Sequence, residues 1–224
     1  MVQEAKDLAA RTENRIQEAI HEYQTQSLTP ESVNRFWQIL WQVGEELTGH
    51  QLPVPLCDRN PEELEELRKE GRGVLLIPDE ITAPEGLAIL GGIFPMKSWF
   101  VRGGTTVVND HNRNQGSCID IEMSVDAPNT DTTEDDLKQR FKLEGRDSQR
   151  FAVYIVGSQF CKLLIGKYFD EGDTSSRLLG SKDKGQFIIA NFNPSGNLEA
   201  NSNLKAKDHN SHLGGRSEGK KKAA

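Results

Sequence analysis

The sequence lacks the features that mark secretion, membrane insertion or a disulfide framework. Its first stretch, MVQEAKDLAARTENR, contains no apolar segment of the kind a secretion signal carries. The longest apolar stretch, Phe151 to Ile165, is interrupted by Gln159 and Lys162 and is too short to span a bilayer. Three cysteines, Cys57, Cys118 and Cys161, are odd in number and far apart, which excludes a disulfide scaffold of the small secreted kind. No Asn-x-Ser/Thr acceptor occurs, because Asn193 is followed by Pro194. These absences predict a reduced, cytoplasmic protein that does not enter a membrane.

Recognisable phosphate and redox motifs are missing too. There is no C-x-x-C and no G-x-G-x-x-G. Gly180-Ser-Lys-Asp-Lys-Gly185 has the outer glycines of a phosphate loop, but Gln186 and Phe187 stand where Lys and Ser/Thr are required. It reads as a turn.

What is present is a polar chain of 224 residues, 35% hydrophobic and 27% charged, with a mean hydropathy of −0.61. Charge is unevenly placed. Residues 205–224 hold six basic residues against Asp208 and Glu218, a net +4, so the total of −7 leaves −11 on the first 204 residues. An acidic body excludes a broad nucleic-acid surface, because phosphates require a positive field. The basic segment allows at most weak contact with nucleic acid. Leu213 is its one branched aliphatic residue, so composition predicts a disordered tail from residue 205 on.

Periodicity divides the remainder. Val2, Ala5, Ala9, Thr12, Ile16, Ala19 and Tyr23 form one stripe of a first helix. Thr29-Pro30 opens a second helix that ends near Gly49. Residues 1–49 therefore read as a helical hairpin, packed on the main domain or projecting to pair with another chain. A body follows at 50–204. It contains a proline-rich connector over 51–60, a short helix from Pro61 and a β run at Val74 to Ile77. Residues 84–91 read as a helical turn, and a hairpin is expected over 98–101 and 105–108. Ile119, Ile121, Met123 and Val125 alternate with Cys118, Asp120, Glu122 and Ser124, which marks a strand with one apolar face. Thr132 or Thr133 caps a short acidic helix, and Asp147 is placed to cap an apolar helix over 148–169. Two strands at 187–192 and 198–204 flank the turn Asn193-Pro-Ser-Gly-Asn197. The fold class is α+β: a helical hairpin, a small mostly antiparallel sheet and one central buried helix.

Three groups of residues carry candidate chemistry. Asp120 and Glu122, two apart on a strand, point the same way and suit a hard divalent cation, with Asp110 or His111 completing the set. The alternative is an ordinary solvated strand face. Ser175, Ser176 and Arg177, in the run Thr174-Ser-Ser-Arg177, suit a carboxylate or phosphate, and Arg102 beside Gly103-Gly104 suits a substrate loop. His209 and His212 have metal-ligand spacing but no further ligands in register. Cys118 shares the face of Asp120, where acidity would raise its pKa and leave it inert.

Two functions follow from this reading. The first is a non-enzymatic protein-binding or assembly domain without a cofactor, contacting a protein partner or its own copy through residues 1–49. The alternative is a metal-dependent hydrolase of phosphoesters built on the Asp120/Glu122 pair.

Overall fold

The computed structural model describes residues 2–94, 107–109, 117–202 and 205–219. Within them the chain is α+β, with seven helices and two mostly antiparallel sheets. The helices are α1 (Val2–Thr25), α2 (Pro30–Thr48), α3 (Pro61–Lys69), α4 (Asp79–Thr82), α5 (Gly86–Ile93), α6 (Glu134–Glu144) and α7 (Phe151–Ile165). The first sheet has the order β1-β3-β9-β4, from β1 (Arg72–Ile77), β3 (Ser117–Glu122), β9 (Ser217–Gly219) and β4 (Asp147–Ser148). In the second, β2 (Val107–Asn109), β5 (Ser175–Asp183), β6 (Gln186–Phe192) and β7 (Leu198–Asn201) follow one another, and β8 (Leu213–Gly215) runs parallel to β5.

Local chemistry sets several element ends. Thr29 Oγ1 accepts the Ser32 amide, Pro30 opens α2, and Gly49 closes it at φ 72°. Thr133 and Asp136 exchange capping bonds at the start of α6, which leaves fewer free N–H groups in its first turn. In the turn between β6 and β7, Asn193 Oδ1 accepts the amides of Ser195 and Asn197.

The hairpin packs on the body over the second half of α1 and along α2. Tyr23, Phe36, Trp37 and Phe160 of α7 form an aromatic cluster with centroids 5.0–5.4 Å apart. Trp41 is buried, and a specific bond holds it there. Trp37 Nε1 and Trp41 Nε1, one helical turn apart, donate to Val74 O (2.9 Å) and Leu76 O (2.7 Å) of β1. Carbonyls two apart on a strand face the same edge, so the indoles occupy the outer edge of the first sheet, where a neighbouring strand would otherwise pair.

Helix α7 lies at the centre, with Phe151, Val153, Tyr154 and Ile155 fully buried. Its N-terminus differs from expectation: Asp147 belongs to β4 and does not cap it. The Arg150 amide donates instead to Glu218 Oε2 (3.1 Å), and the Phe151 amide to Ser181 Oγ (2.9 Å). Long-range partners satisfy this helix end.

The segment expected to be disordered from residue 205 is folded as far as Gly219; residues 220–224 lie outside the described ones. Its strands β8 and β9 belong to different sheets, and the chain crosses between them at Arg216. Composition misjudged it because the segment is held by backbone pairing and buried charge rather than by apolar area. At Gly214 a side chain would run into the Pro128 carbonyl, so this close approach requires glycine. Strand β5 was also missed: it contains the run Ser175 to Arg177 and Gly180 to Asp183, so the turn expected over Gly180–Gly185 is confined to Lys184-Gly185, where the chain reverses into β6. Among the described residues no helix is long and apolar enough to cross a membrane.

Candidate functional site

Each group of candidate residues occupies a distinct place. Asp120 and Glu122 share a face of β3, as the alternation requires, but that face is not solvated. Asp120 is 3% exposed. Arg59 Nη2 reaches its Oδ1 at 3.0 Å, while Arg72 Nη1 and Arg146 Nη1 reach Oδ2 at 3.0 and 2.5 Å. Burial alone would raise the Asp120 pKa; Arg146, Arg59 and Arg72 outweigh it and hold the carboxyl below the usual range. Glu122 accepts from Ser217 Oγ (2.6 Å) and lies 3.7 Å from Arg146 Nε and 3.8 Å from Arg72 Nη2. Guanidinium groups and a hydroxyl thus take the positions a cation would need. Among the described residues no group of three or more His, Cys, Asp or Glu is placed to hold a metal. Asp110 and His111 lie outside the described residues, as does Arg102.

Ser176 does bind a carboxylate, but one supplied by the chain. Its Oγ donates to Asp170 Oδ2 at 2.7 Å, alongside Tyr154 Oη at 2.8 Å. The guanidinium that completes the group is Arg216, which bonds Ser176 Oγ (2.9 Å) and Asp170 Oδ1 (3.2 Å) and stacks 4.0 Å over the Phe169 ring. Arg177 points elsewhere and donates to Asp208 O at 2.8 Å. The amide of Ser175 donates to His212 O at 2.8 Å in the pairing of β5 with the C-terminal segment. His209 Nδ1 sits 2.9 Å from Asp131 Oδ1, and His212 Nδ1 lies 3.0 Å from Asp173 O, so the two imidazoles face different partners.

Gly215-Arg-Ser-Glu-Gly219 has the G-x-S-x-G spacing of a hydrolase nucleophile. That motif works only on a strand-to-helix turn that exposes the serine. Here Ser217 opens strand β9, is fully buried, and is held between Glu122 and Arg146 Nε (2.6 Å). It is a structural serine.

An apolar concave feature lies between hairpin and body, a cavity of about 370 Å³. Helix α2 lines it with Trp37, Leu40, Trp41, Val43 and Leu47, and α1 adds Ile16. Ile93 and Phe94 close one side, and α7 contributes Val156, Phe160 and Leu163. Polar groups are few. Lys162 folds over the Tyr168 ring at 4.7 Å and donates to Gly166 O at 2.7 Å, which leaves Gln159 as the lining's other polar side chain of note. Leu47, 61% exposed, carries the apolar lining out to solvent. Periodicity showed the stripes that make this lining, yet nothing local showed that they leave a space when packed. Compared with protein-family models, with curated proteins and with solved structures, the chain matches none of them.

Proposed function

We propose that the protein is a non-enzymatic binding module that receives an apolar anchor of a protein partner between its helical hairpin and its body. The observation that carries this reading is the apolar cavity of about 370 Å³ with Leu47 exposed at its edge. A pocket of this size and lining suits one or two large side chains, and such buried anchors dominate protein recognition. The continuation of apolar surface at Leu47 favours an extended partner over a free small molecule. Catalysis draws no comparable support there, because general acid–base chemistry requires a positioned titratable group and Lys162 is already engaged. The phosphoester hydrolase reading draws none from the carboxylates, whose oxygens face Arg59, Arg72, Arg146 and Ser217.

Trp37 and Trp41 line the cavity, so their emission reports occupancy. Peptides selected from a displayed random library on the full chain should share a large apolar residue and should shift that emission. The cavity-filling variant Leu163→Phe should keep its melting temperature and bind the same peptides about tenfold more weakly, a loss near 1.4 kcal/mol. Selected peptides without an apolar anchor, or equal binding to the filled variant, would refute the reading. A second copy of the chain as occupant would appear as a dimer in sedimentation.

A further inference from the structure

Two of the three thiols meet in space. Cys57 lies on the connector over 51–60, and Cys118 on β3; their Sγ atoms are 4.0 Å apart, with the Cys118 thiol donating to Cys57. The contact belongs to a longer register. Cys57 faces Cys118 while Arg59, two residues on, faces Asp120, two residues on along β3. The connector therefore lies across the strand face with its side chains in step.

The two sulfurs differ in environment. Cys118 is buried, whereas Cys57 is half-exposed. Donation from the Cys118 thiol, with help from the Arg59 amide and guanidinium, lowers the Cys57 pKa to about 7 against burial and the nearby Asp58 carboxylate. Cys118 is pushed the other way, by its bond to Cys57 and by burial. The expectation that Cys118 is a poor thiolate agrees with this direction, but the neighbour that inherits the reactivity was not visible in the sequence.

We propose that Cys57 and Cys118 are a reversible thiol–disulfide pair, in which Cys57 reacts with a hydroperoxide and Cys118 resolves the product. The Cys57 thiolate attacks one peroxide oxygen, the O–O bond breaks, and the leaving oxygen departs as water after taking a proton. Cys57 is then a sulfenic acid. The Cys118 sulfur attacks the Cys57 sulfur, the S–S bond forms, and the hydroxyl leaves as a second water with the Cys118 proton. Two thiols lose two electrons, and hydrogen peroxide gains them. An external dithiol reverses the change by exchange. A disulfide requires sulfurs about 2.05 Å apart. Cys57 can close the gap, because its connector has no regular secondary structure, whereas Cys118 is held in β3 by its pairing with Leu76 of β1.

The reduced full chain, treated with stoichiometric hydrogen peroxide and digested without reductant, should yield a peptide linking Cys57 to Cys118 with Cys161 left free. Cys118→Ala should stop at a Cys57 sulfenic acid that a dimedone probe captures, and Cys57→Ser should form neither product. Alkylation of Cys57 should show half-maximal rate near pH 7 and move toward the ordinary thiol range in Cys118→Ala. Absence of the linked peptide, or an alkylation profile that Cys118→Ala leaves unchanged, overturns the proposal.

Discussion

Replacing Asp120 by Asn tests whether its face of β3 is an ion cluster or a metal site. The substitution keeps shape and removes one charge. In the folded protein it leaves Arg59, Arg72 and Arg146 gathered around a neutral amide, with Glu122 as the remaining carboxylate beside Arg72 and Arg146 and Asp58 the one beside Arg59. Removing one partner of a buried ion pair costs about 3–5 kcal/mol, since the other charge stays desolvated. Here the lower end applies, because Arg72 is 20% exposed and can turn toward water. The expected loss is about 3 kcal/mol. With a urea slope of about 2 kcal/mol per molar, the denaturation midpoint falls by about 1.5 M at pH 7. The sign with pH is fixed by the lowered carboxyl. A depressed folded pKa gives stability that is complete above the unfolded value near 4 and is lost as pH falls through the folded value. The gap between wild type and Asp120→Asn should therefore be constant from pH 5.5 to 7, on the order of the value above, and shrink below about pH 4. A stability change under about 0.5 kcal/mol, the scale of ordinary surface substitutions, would refute the cluster. Stabilisation of wild type by magnesium or manganese that disappears in the variant would establish the metal reading instead.

The remaining predictions concern the C-terminal segment, the sheet edge and the core. A chain ending at Leu204 should fail to fold cooperatively by near-UV circular dichroism, since it loses β8, β9 and the buried charges Arg216 and Glu218; a native-like spectrum would show the segment to be dispensable. Trp41→Phe removes the donor to Leu76 O while keeping an aromatic ring, and should cost about 1–3 kcal/mol in thermal or urea unfolding, the penalty of an unsatisfied buried carbonyl. No measurable cost would mean that water replaces the indole. Ile155→Ala, at a fully buried position of α7, should cost about 2–5 kcal/mol in the same assay, and a surface-like effect would displace this helix from the core.

How much of this was legible follows from what each signal depends on. The alternation over Cys118 to Val125, the stripes of α1 and α2, the Thr29-Pro30 start and the Asn193–Asn197 turn are local, and each predicts its element, although β3 ends at Glu122, three residues before the alternation does. Strand β5 was not legible, because Ser175 to Asp183 has no period of two. It pairs on both sides, with β6 along one edge and with β8 and β2 along the other, and most of its residues are buried whichever way they point. The candidate carboxylates were found as a pair, but their partners are Arg59 of the connector, Arg72 of β1 and Arg146 of the link between α6 and β4. No spacing rule connects those positions.

The sequence by itself determined the α+β class, the helical hairpin, the buried α7 and the shared face of Asp120 and Glu122, because hydrophobic period and capping chemistry act within a few residues. Only the tertiary structure decided which charges are buried. Arg216 and Glu218 sit in a segment whose composition looks solvated, yet Arg216 meets Asp170, Ser176 and Phe169, and Glu218 meets Arg150. A charge can leave water when partners are already in place to receive it, and those partners are assembled from distant parts of the chain. The same holds for Cys57 and Cys118, and for the space between hairpin and body, which exists only once the helices have packed.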